Sequence, residues 1–508
     1  MKIIEVKLEN FRSYNNETEV AVNDMTVFVG KNDIGKSTIL EALDIFFNEN
    51  NGTIKLDKDD ICKHSESDEI KITVVFSDFP EEITIDATNP TRLSDEYLLN
   101  RDGYLEIIKK YPKGGKEKVY IKAHHPTNPI CSDLLLKKIT ELRQVLSDQN
   151  INCEDRTRSA TIRRSIWQHY SDDLQLSEVE IDVTKEDAKN IWEQLHKYMP
   201  VYALFQSDRG NSDNDSEVQD PMKFAVKEIL KDANLASRLD SIAQEIKQKL
   251  DEVASNTLAK LNEMNPDIAE SLTPVIPDTD KLKWADVFKA VSISGDNDIP
   301  VNKRGSGVKR LILLNFFRAE VERRRQENNA TSIIYAIEEP ETSQHQDHQR
   351  KLISALKTLS STDRTQILLT THSPALVKML DFDNLKLVTG IQTKQIINVE
   401  RHTLCYPSLN EVNYLAFGES DEEYHNELFG YIESENLLNE YKNGKSTVEY
   451  IRLNKDGSTT PEQKILSEYI RHQIHHPENH HNTRFTHNEL QTSIALMRQF
   501  IEDNAEED

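Results

Sequence analysis

The sequence contains few cysteines and no long apolar run. Its 508 residues include only four cysteines, and none of them forms a CxxC pair. A disulfide-stapled scaffold and a zinc site built on paired cysteines are therefore excluded as starting hypotheses. No apolar stretch approaches the ~18 residues that span a bilayer, and the polar start MKIIEVKLENFRSY lacks a signal-peptide core. We expect a soluble, cytoplasmic protein without membrane association.

The sequence also lacks a positive charge balance. Against 62 Lys and Arg residues stand 87 Asp and Glu residues, which gives a formal net charge of −25. Such a surface repels phosphate backbones, so a generic nucleic-acid binder is disfavoured. Local basic stretches at 109–122, 156–164 and 323–325 carry no aromatic stacking pattern. Their simplest interpretation is solvated surface.

The motif GKNDIGKS at positions 30–37 fits the phosphate-binding P-loop pattern G-x-x-x-x-G-K-[ST] in full. An apolar strand-like run precedes it and a helically spaced run follows it. The glycines let backbone N–H groups turn toward phosphate oxygens, and the next helix directs its positive end at the same anion. Lys36 is predicted to reach the β- and γ-phosphates of ATP, and Ser37 to ligate Mg²⁺. The predicted ATP-binding residues are Gly30, Lys31, Asn32, Asp33, Ile34, Gly35, Lys36, Ser37 and Thr38.

A second motif, SIIYAIEEPE at 332–341, is an apolar strand that ends in two adjacent carboxylates. In a nucleotide site the first acid holds the Mg²⁺ shell, and the second orients and deprotonates the attacking water. We assign these roles to Glu338 and Glu339, and Pro340 stops the strand. Taken alone, the motif is better explained as a strand that ends in surface acids. Its pairing with the P-loop favours the catalytic interpretation.

Two further segments carry candidate site residues. QILLTTHSPAL at 366–376 delivers His372 at the end of an apolar strand, and NKRGSGVKRLILL at 302–314 is a basic, glycine-containing loop before an apolar helix. Such a loop offers a hydroxyl, backbone N–H groups and a helix N-terminus to a phosphate. A lone histidine after a strand is usually structural. Gln206, at the end of the predicted strand 201–206, is a further candidate for sensing the γ-phosphate through Mg²⁺.

Together with NFRSY at 10–14, these motifs resemble the RecF/SMC-like group of ABC-type ATPases. The resemblance spans residues 1–50 and 300–390 and implies an α/β ABC/SMC-type head, a mixed β-sheet with flanking helices. It also implies that His372 hydrogen-bonds the γ-phosphate and the attacking water. RGSGV would then replace the usual LSGGQ signature, and its signature residues would be Arg304, Gly305, Ser306 and Gly307.

In such heads the signature loop lies far from the P-loop of its own chain and serves the nucleotide of a partner head. This chain carries one P-loop and one signature loop. We therefore expect two copies to meet head to tail around two ATP molecules, in a closed two-fold pair or a higher even oligomer.

The sequence texture predicts four segments. These are an N-terminal head lobe over 1–130, a helical insertion over 131–283, a C-terminal head lobe over 284–400, and a mainly helical partner-binding region over 401–508. The helical spacing at 222–264 is far too short for the arms of a chromosome-organising SMC protein. An ordinary amphipathic helix is its simpler interpretation.

The C-terminal region narrows the resemblance, which is nearest to OLD-type ATPases of bacterial antiphage systems. OLD nucleases continue into a Toprim domain, but Asp381 and Asp383 precede a strand instead of following one, so we expect no Toprim site. PSLNEVNYLAFG, EYHNELFGYI and YIRHQIHHPENHHN are similar to PtuA-type ATPases of Septu defence, also found beside some retrons. This resemblance implies a separate HNH nuclease partner of the PtuB type. A retron reverse transcriptase with its msDNA is a further candidate partner, and nucleic acid would be reached indirectly.

A histidine-rich segment between 472 and 487 leaves two alternatives open. Its histidines match no known metal-site spacing, and Pro477 interrupts any helix. Arg471 and His476 fit the short RxxxxH pattern of HEPN ribonucleases, which attack RNA through its 2′-OH across a dimer. That pattern is very common by chance. A polar structural or docking segment is the simplest interpretation.

The leading hypothesis is a regulatory ATPase of an antiphage complex, with nuclease activity supplied by a partner. A RecF-like DNA-repair ATPase is the first alternative, although the acidic charge argues against direct DNA binding. A self-contained HEPN-like ribonuclease with an ATPase regulator is the second. The expected cofactors are ATP and Mg²⁺.

Overall fold

The computed structural model describes residues 1–48, 52–65, 67–86, 89–113, 115–184, 188–206, 332–341, 346–390, 393–399 and 408–505, with isolated residues at 319, 404 and between 230 and 255. The predicted signature loop at 304–307 and most of the predicted helical stretch at 222–264 lie outside the described residues.

The chain divides into two compact units. One unit is Met1–Leu204 with Ala330–Glu341 and Leu356–Asp508, and the other is Phe205–Asn329 with Thr342–Ala355. The P-loop, the acid pair and His372 therefore belong to the same unit.

The described residues form both strands and helices. The strands are β1 (Lys2–Glu9), β2 (Thr18–Ala21), β3 (Met25–Val29), β4 (Glu69–Ser77), β5 (Ile83–Asp86), β6 (Asn89–Thr91), β7 (Leu105–Pro112), β8 (Lys118–Pro126), β9 (Leu176–Asp182), β10 (Val201–Phe205), β11 (Ile333–Glu338), β12 (Thr365–Thr371), β13 (Leu385–Thr389), β14 (Gln395–Asn398), β15 (Thr447–Leu453) and β16 (Thr459–Ile465). The helices are α1 (Lys36–Asn48), α2 (Ile139–Asp148), α3 (Ser159–His169), α4 (Ala188–His196), α5 (Gln346–Ser360), α6 (Pro374–Val377), α7 (Leu409–Phe417), α8 (Glu422–Ser434), α9 (Leu438–Lys442), α10 (Leu466–His475) and α11 (His487–Ala505). None of these described helices is both long and apolar enough to cross a bilayer.

The first large sheet is antiparallel and has the order β2-β1-β4-β7-β8-β9. Ile3, Val6 and Leu8 of β1 are buried in the main core. A bulge between Ile3 and Glu5, opposite β4, inserts one residue and brings both Ile3 and Val6 to the core face. On β1, Lys7 pairs with Glu19 at 3.1 Å. The sheet therefore has an apolar face and a charged face, as antiparallel sheets commonly do.

The second large sheet is mixed and has the order β10-β11-β12-β3-β13-β14. The strands β11, β12, β3 and β13 run parallel in neighbouring pairs, and β14 is antiparallel to β13. Every residue of β3, β11 and β12 is buried, which is typical of central parallel strands covered on both faces. The apolar runs of residues 1–30 are typical of strands that pair with one another. The structure instead pairs β1 with β2 and sends β3 into this second sheet.

Residues 131–204, predicted to open a helical insertion, also contribute β9 and most of β10. Helices α2, α3 and α4 bury apolar residues against the main core, and β9 pairs with β8 along the edge of the first sheet. The two-stranded sheet β5-β6 is separate from both large sheets and lies against α4. The segment boundaries at 130, 283 and 400 stay predictions.

The C-terminal residues 408–505 have a hydrophobic core of their own. Helices α8, α10 and α11 pack around it, and the hairpin β15-β16 lies against α10. The buried side chains of this core within residues 408–505 are Tyr424, Leu428, Phe429, Ile432, Tyr441, Ile465, Ile470, Leu490, Ile494, Met497 and Ile501. This region is mainly helical, as predicted.

Candidate active site

Three parallel strands deliver the candidate residues to one edge of the second sheet. Glu338 of β11 lies opposite Thr370 of β12, and Thr371 lies opposite Val29 of β3. The P-loop follows β3, the acid pair ends β11 and His372 follows β12. Because the carboxyl ends of parallel strands meet at one edge, segments far apart in the chain become neighbours.

The P-loop adopts a backbone that only glycine fits at two positions. Gly30 has a φ of 153°, and a Cβ there would lie 2.8 Å from the carbonyl oxygen of Val388. Gly35 has a φ of 101°, and its Cβ would lie 3.0 Å from the Ser13 hydroxyl. Both conformations belong to the left-handed region that side chains other than glycine rarely enter. The loop is therefore a tight cradle of the kind that phosphate groups require.

The Lys36 amine is held inside this loop. Its Nζ donates hydrogen bonds to the carbonyl oxygens of Gly30, at 2.8 Å, and Lys31, at 2.7 Å. Burial lowers the pKa of the Lys36 amine, and nearby carboxylates, among them Glu339 and Glu341, oppose that shift. The site thus combines the cation at the start of α1 with acids that follow β11.

The NFRSY turn supports the loop and α1 from the other side. The Tyr14 hydroxyl donates to the carbonyl oxygen of Gly35 at 3.0 Å. Arg12 binds the carboxylate of Glu41 on α1, and its Nε lies 2.7 Å from Asp60. The sequence used NFRSY only as a mark of family resemblance. The structure gives it the role of fixing the P-loop and the first turns of α1.

The two predicted acids occupy different environments. Glu338 ends β11 and is 7% exposed, whereas the side chain of Glu339 is 26% exposed. Glu339 has a φ of 40°, an uncommon conformation for a residue other than glycine. Its backbone N–H donates to the carbonyl oxygen of Thr370 at 3.1 Å, which holds this turn in place. Strained backbone that the surroundings maintain is concentrated at functional sites.

His372 is brought directly against Glu339. The His372 Nδ1 lies 3.0 Å from Glu339 Oε1 and 3.8 Å from Glu341 Oε1. The side chain of His372 is 39% exposed. A carboxylate beside an imidazole and a lysine amine is an arrangement suited to activating water next to a phosphate.

Glu341 is a site residue that sequence reasoning missed. Its side chain is 5% exposed and accepts hydrogen bonds from Thr371 Oγ1 at 2.6 Å and from the His372 N–H at 3.1 Å. Burial raises the pKa of Glu341, and these hydrogen bonds oppose the rise. The signal in the sequence was the third acid of EEPE together with the threonine before His372.

The residues present fit ATP and Mg²⁺. Gly30 and Gly35 let the loop adopt a positive-φ backbone that a side chain would prevent, since a Cβ would meet the Val388 carbonyl oxygen or the Ser13 hydroxyl. Ser37 and Glu338 supply a hydroxyl and a carboxylate, the hard oxygen donors that Mg²⁺ prefers. Gln206 is buried just after β10 and belongs to the other compact unit, so its role in sensing the metal stays a prediction.

Arg471 and His476 have separate partners. Arg471 binds Glu433 at 3.0 Å and lies over the ring of Phe429. The His476 Nδ1 lies 3.2 Å from Glu478, and the His476 ring stacks on His472. Within the described ranges, no group of three or more His, Cys, Asp or Glu side chains is arranged to hold a metal. The HEPN-like alternative gains no support from these contacts.

The histidine-rich segment instead caps the C-terminal hairpin. Asn479 and Asn482 donate side-chain hydrogen bonds to the carbonyl oxygen of Ile451 on β15. His472 stacks on Tyr450 of the same strand. The role of this segment stays a prediction.

Residues 1–377 match the AAA ATPase domain family. Over 406 residues the chain is 21% identical to Endonuclease GajA of Bacillus cereus strain VD045, and the match covers 78% of this chain. The chain spans 59% of the length of that relative. The predicted fold class, an α/β ATPase head with mixed sheet and flanking helices, is confirmed.

Two solved structures are similar over most of the chain. The SMC head domain from Thermotoga maritima is 14% identical, with a TM-score of 0.35. The match covers 79% of this chain and all of that one. The SMC head bound to the C-winged helix domain of ScpA is 11% identical, with a TM-score of 0.38. The match covers 78% of this chain and 98% of that one.

Proposed function

The chain belongs to the AAA ATPase domain family, and from this premise we propose that it hydrolyses ATP at the site built from Lys36, Glu339 and His372. The observation that carries the proposal is the 3.0 Å approach of His372 Nδ1 to Glu339 Oε1 beside the P-loop amine. A purely structural P-loop would have no need of a water-activating acid held in a strained turn at its mouth.

Each residue has a definite part in the proposed reaction. Lys36 exchanges the carbonyl oxygens of Gly30 and Lys31 for β- and γ-phosphate oxygens. Water attacks the γ-phosphorus, the bond to the ADP oxygen breaks, and Glu339 accepts the proton that the water loses. His372 hydrogen-bonds the γ-phosphate and keeps the attacking water in line. Mg²⁺, held by Ser37 and Glu338, supplies positive charge to the phosphate oxygens when it is bound.

The direct test is steady-state ATP hydrolysis by the purified full chain. Lys36→Ala is expected to lose nucleotide binding and turnover together, because the amine contacts the phosphates in ground state and transition state alike. Lys113→Ala is the matched control, since Lys113 is 57% exposed and its amine lies 3.1 Å from exposed Asp68. Equal activity in Lys36→Ala and the control would refute the assignment.

We also propose that the site is completed by a second copy. The loop that contains Arg304, Gly305, Ser306 and Gly307 would cap the γ-phosphate held by Lys36 of its twin. Mixing Lys36→Ala chains with Ser306→Arg chains tests this directly. Each is expected to be inactive alone, and the mixture should regain activity because one composite site per pair is intact. A mixture as inactive as its components would contradict assembly in trans.

The wider proposal is a cytoplasmic regulatory ATPase that controls a separate HNH-type nuclease in antiphage defence. The similarity to a protein named as an endonuclease supports a connection with nucleic-acid cleavage. The attachment of the C-terminal region supports regulation, because Lys378, just after the His372 segment, binds Asp421 at 3.3 Å and Glu423 at 2.6 Å. If that segment moves with nucleotide state, these ion pairs would transmit the movement to residues 408–505.

Co-purification with the products of neighbouring genes, followed by DNA cleavage assays, tests the wider proposal. Cleavage is expected only when an HNH protein is present, and Lys36→Ala should alter it. Strong cleavage by the chain alone would replace this proposal with a self-contained endonuclease. Tight binding of duplex DNA by the chain alone would favour the RecF-like alternative.

A further inference from the structure

Glu341, the third acid of the EEPE motif, has no role in the reaction described above. Its side chain is nevertheless more deeply buried than that of Glu339. The Glu341 side chain is 5% exposed, against 26% for Glu339. A carboxylate in such a place requires strong donors, since an unsatisfied buried charge is expensive. Among the described residues, Thr371 Oγ1 and the backbone N–H of His372 donate hydrogen bonds to it.

These hydrogen bonds fix the backbone on both sides of His372. The Thr371 hydroxyl donates to Glu341 at 2.6 Å and accepts from the Ser373 N–H at 3.0 Å. The His372 N–H donates to the same Glu341 oxygen at 3.1 Å. One carboxylate oxygen therefore ties the end of β12 to the turn after β11.

The direction of the His372 ring follows from this tie. With its N–H held by Glu341, the residue places Nδ1 at 3.0 Å from Glu339. On the neighbouring residue, Thr370 Oγ1 lies 3.3 Å from the Glu339 N–H and contributes a parallel link. The consecutive threonines of β12 thus each engage one acid of the turn, and His372 follows them directly in the chain.

We propose that Glu341 is a positioning residue for ATP hydrolysis, which acts through Thr371 and His372 to hold the imidazole against Glu339. This inference rests on the proposed ATPase function. It assigns a task to Glu341 and Thr371 that differs from binding: neither residue needs to touch the nucleotide. Their loss should therefore reduce kcat and leave KM for ATP nearly unchanged.

The experiment compares four variants of the full chain by kcat and KM for ATP. Glu341→Ala removes both hydrogen bonds, and Thr371→Val removes the hydroxyl with nearly the same shape. Both should lower kcat roughly tenfold or more, as small misplacements of reacting groups do. Thr371→Ser keeps the hydroxyl and should restore most of the turnover. Thr365→Val is the control. Thr365 is also buried on β12, but its hydroxyl donates to the Asp363 carbonyl oxygen at 3.4 Å instead of to Glu341.

Three results would overturn the proposal. One is wild-type kcat in Thr371→Val and Glu341→Ala. Another is an equal loss in Thr365→Val, which would show a general packing effect. The last is a rise in KM that matches the fall in kcat, which would show a binding role instead.

Amide hydrogen exchange separates this inference from the proposed function. A wild-type chain that hydrolyses no ATP would defeat the ATPase proposal. Whether Glu341 holds the end of β12 is then decided by amide exchange in peptides that span 366–376. Thr371→Val and Glu341→Ala should lose protection there, while Thr371→Ser and Thr365→Val should keep it. Unchanged protection in the first pair would overturn the positioning role.

Discussion

The His372 Nδ1 lies 3.0 Å from Glu339 Oε1, although the two residues follow different strands of the sheet. The contact exists because β11 and β12 are parallel and in register, with Glu338 opposite Thr370. It joins a residue able to accept a proton from water with one able to hydrogen-bond a phosphate. The Lys36 amine lies within the electrostatic reach of the same acid.

The P-loop backbone should not tolerate a side chain at position 35. In Gly35→Ala the new methyl group would lie 3.0 Å from Ser13 Oγ and 3.4 Å from the Tyr14 ring, at a φ of 101°. Strain of about 1–3 kcal/mol is expected, and the displaced loop should weaken ATP binding. Thermal unfolding and nucleotide titration measure both effects.

Gly430→Ala is the matched control for that change. Gly430 lies within α8, and a Cβ there would meet no atom within 4 Å. Alanine is the better helix former by about 1 kcal/mol, so stability should be equal or higher. Wild-type stability and ATP affinity in Gly35→Ala would show that the loop is less constrained than the structure indicates.

The C-terminal core should depend on the ion pair between Arg498 and Glu411. The two groups lie 2.9 Å apart with side chains 13% and 2% exposed, and Arg498 also donates to the Tyr424 hydroxyl at 2.6 Å. Arg498→Met removes the cation from a nearly buried carboxylate, which typically costs about 3–5 kcal/mol. Urea unfolding should show this loss.

Arg452→Met tests the same chemistry at the surface. Arg452 is 62% exposed and binds Glu462 at 3.3 Å on the hairpin. Exposed pairs contribute only about 0–1 kcal/mol, so its unfolding curve should nearly match wild type. Comparable losses in both variants would mean that burial does not set the strength of the Arg498 pair.

Stability should fall in mild acid because of His425. Burial, with a further contribution from the Arg471 cation, lowers the pKa of His425 to about 3. The unfolded chain, with a histidine pKa near 6.5, therefore binds a proton that the folded chain does not. Between pH 6.5 and 3 this group should reduce stability by about 1.4 kcal/mol for each pH unit lost. Above pH 6.5 it should have no effect.

Urea unfolding of wild type and His425→Gln at pH 7.0, 5.5 and 4.5 checks this dependence. The variant should lose stability less steeply as the pH falls, because glutamine does not titrate. His475→Gln is the control, since His475 is exposed. Parallel curves for wild type and His425→Gln would contradict the assignment of the acid sensitivity to His425.

The sequence was sufficient where a single segment carries its own physical signal. The apolar runs before Gly30, Glu338 and His372 predicted the three strands, and the turn and helix that follow Gly30 needed only the P-loop pattern. Parallel strands of that kind then bring their ends together without further information. The predicted convergence of Lys36, Glu339 and His372 follows from these local signals.

Other features depend on contacts between distant segments, which local patterns do not encode. Nothing in EEPE distinguishes a third acid that turns inward from one that stays at the surface, because that direction is set by Thr371. Likewise, β3 follows β1 and β2 in the chain but pairs with β12 and β13 in the second sheet, and local patterns do not specify a pairing partner. The buried pair of Arg498 and Glu411 joins two helices that are far apart in the chain.

Single-turnover hydrolysis tests the central claim most directly. Radiolabelled ATP is bound to wild type and to Glu339→Gln, and the bound nucleotide is identified after acid quenching at set times. Wild type should convert it to ADP, while Glu339→Gln should bind ATP fully and convert it at least about 10²-fold more slowly, since a general base contributes about 10²–10⁴. Conversion by Glu339→Gln at the wild-type rate would contradict the role of Glu339 as the base.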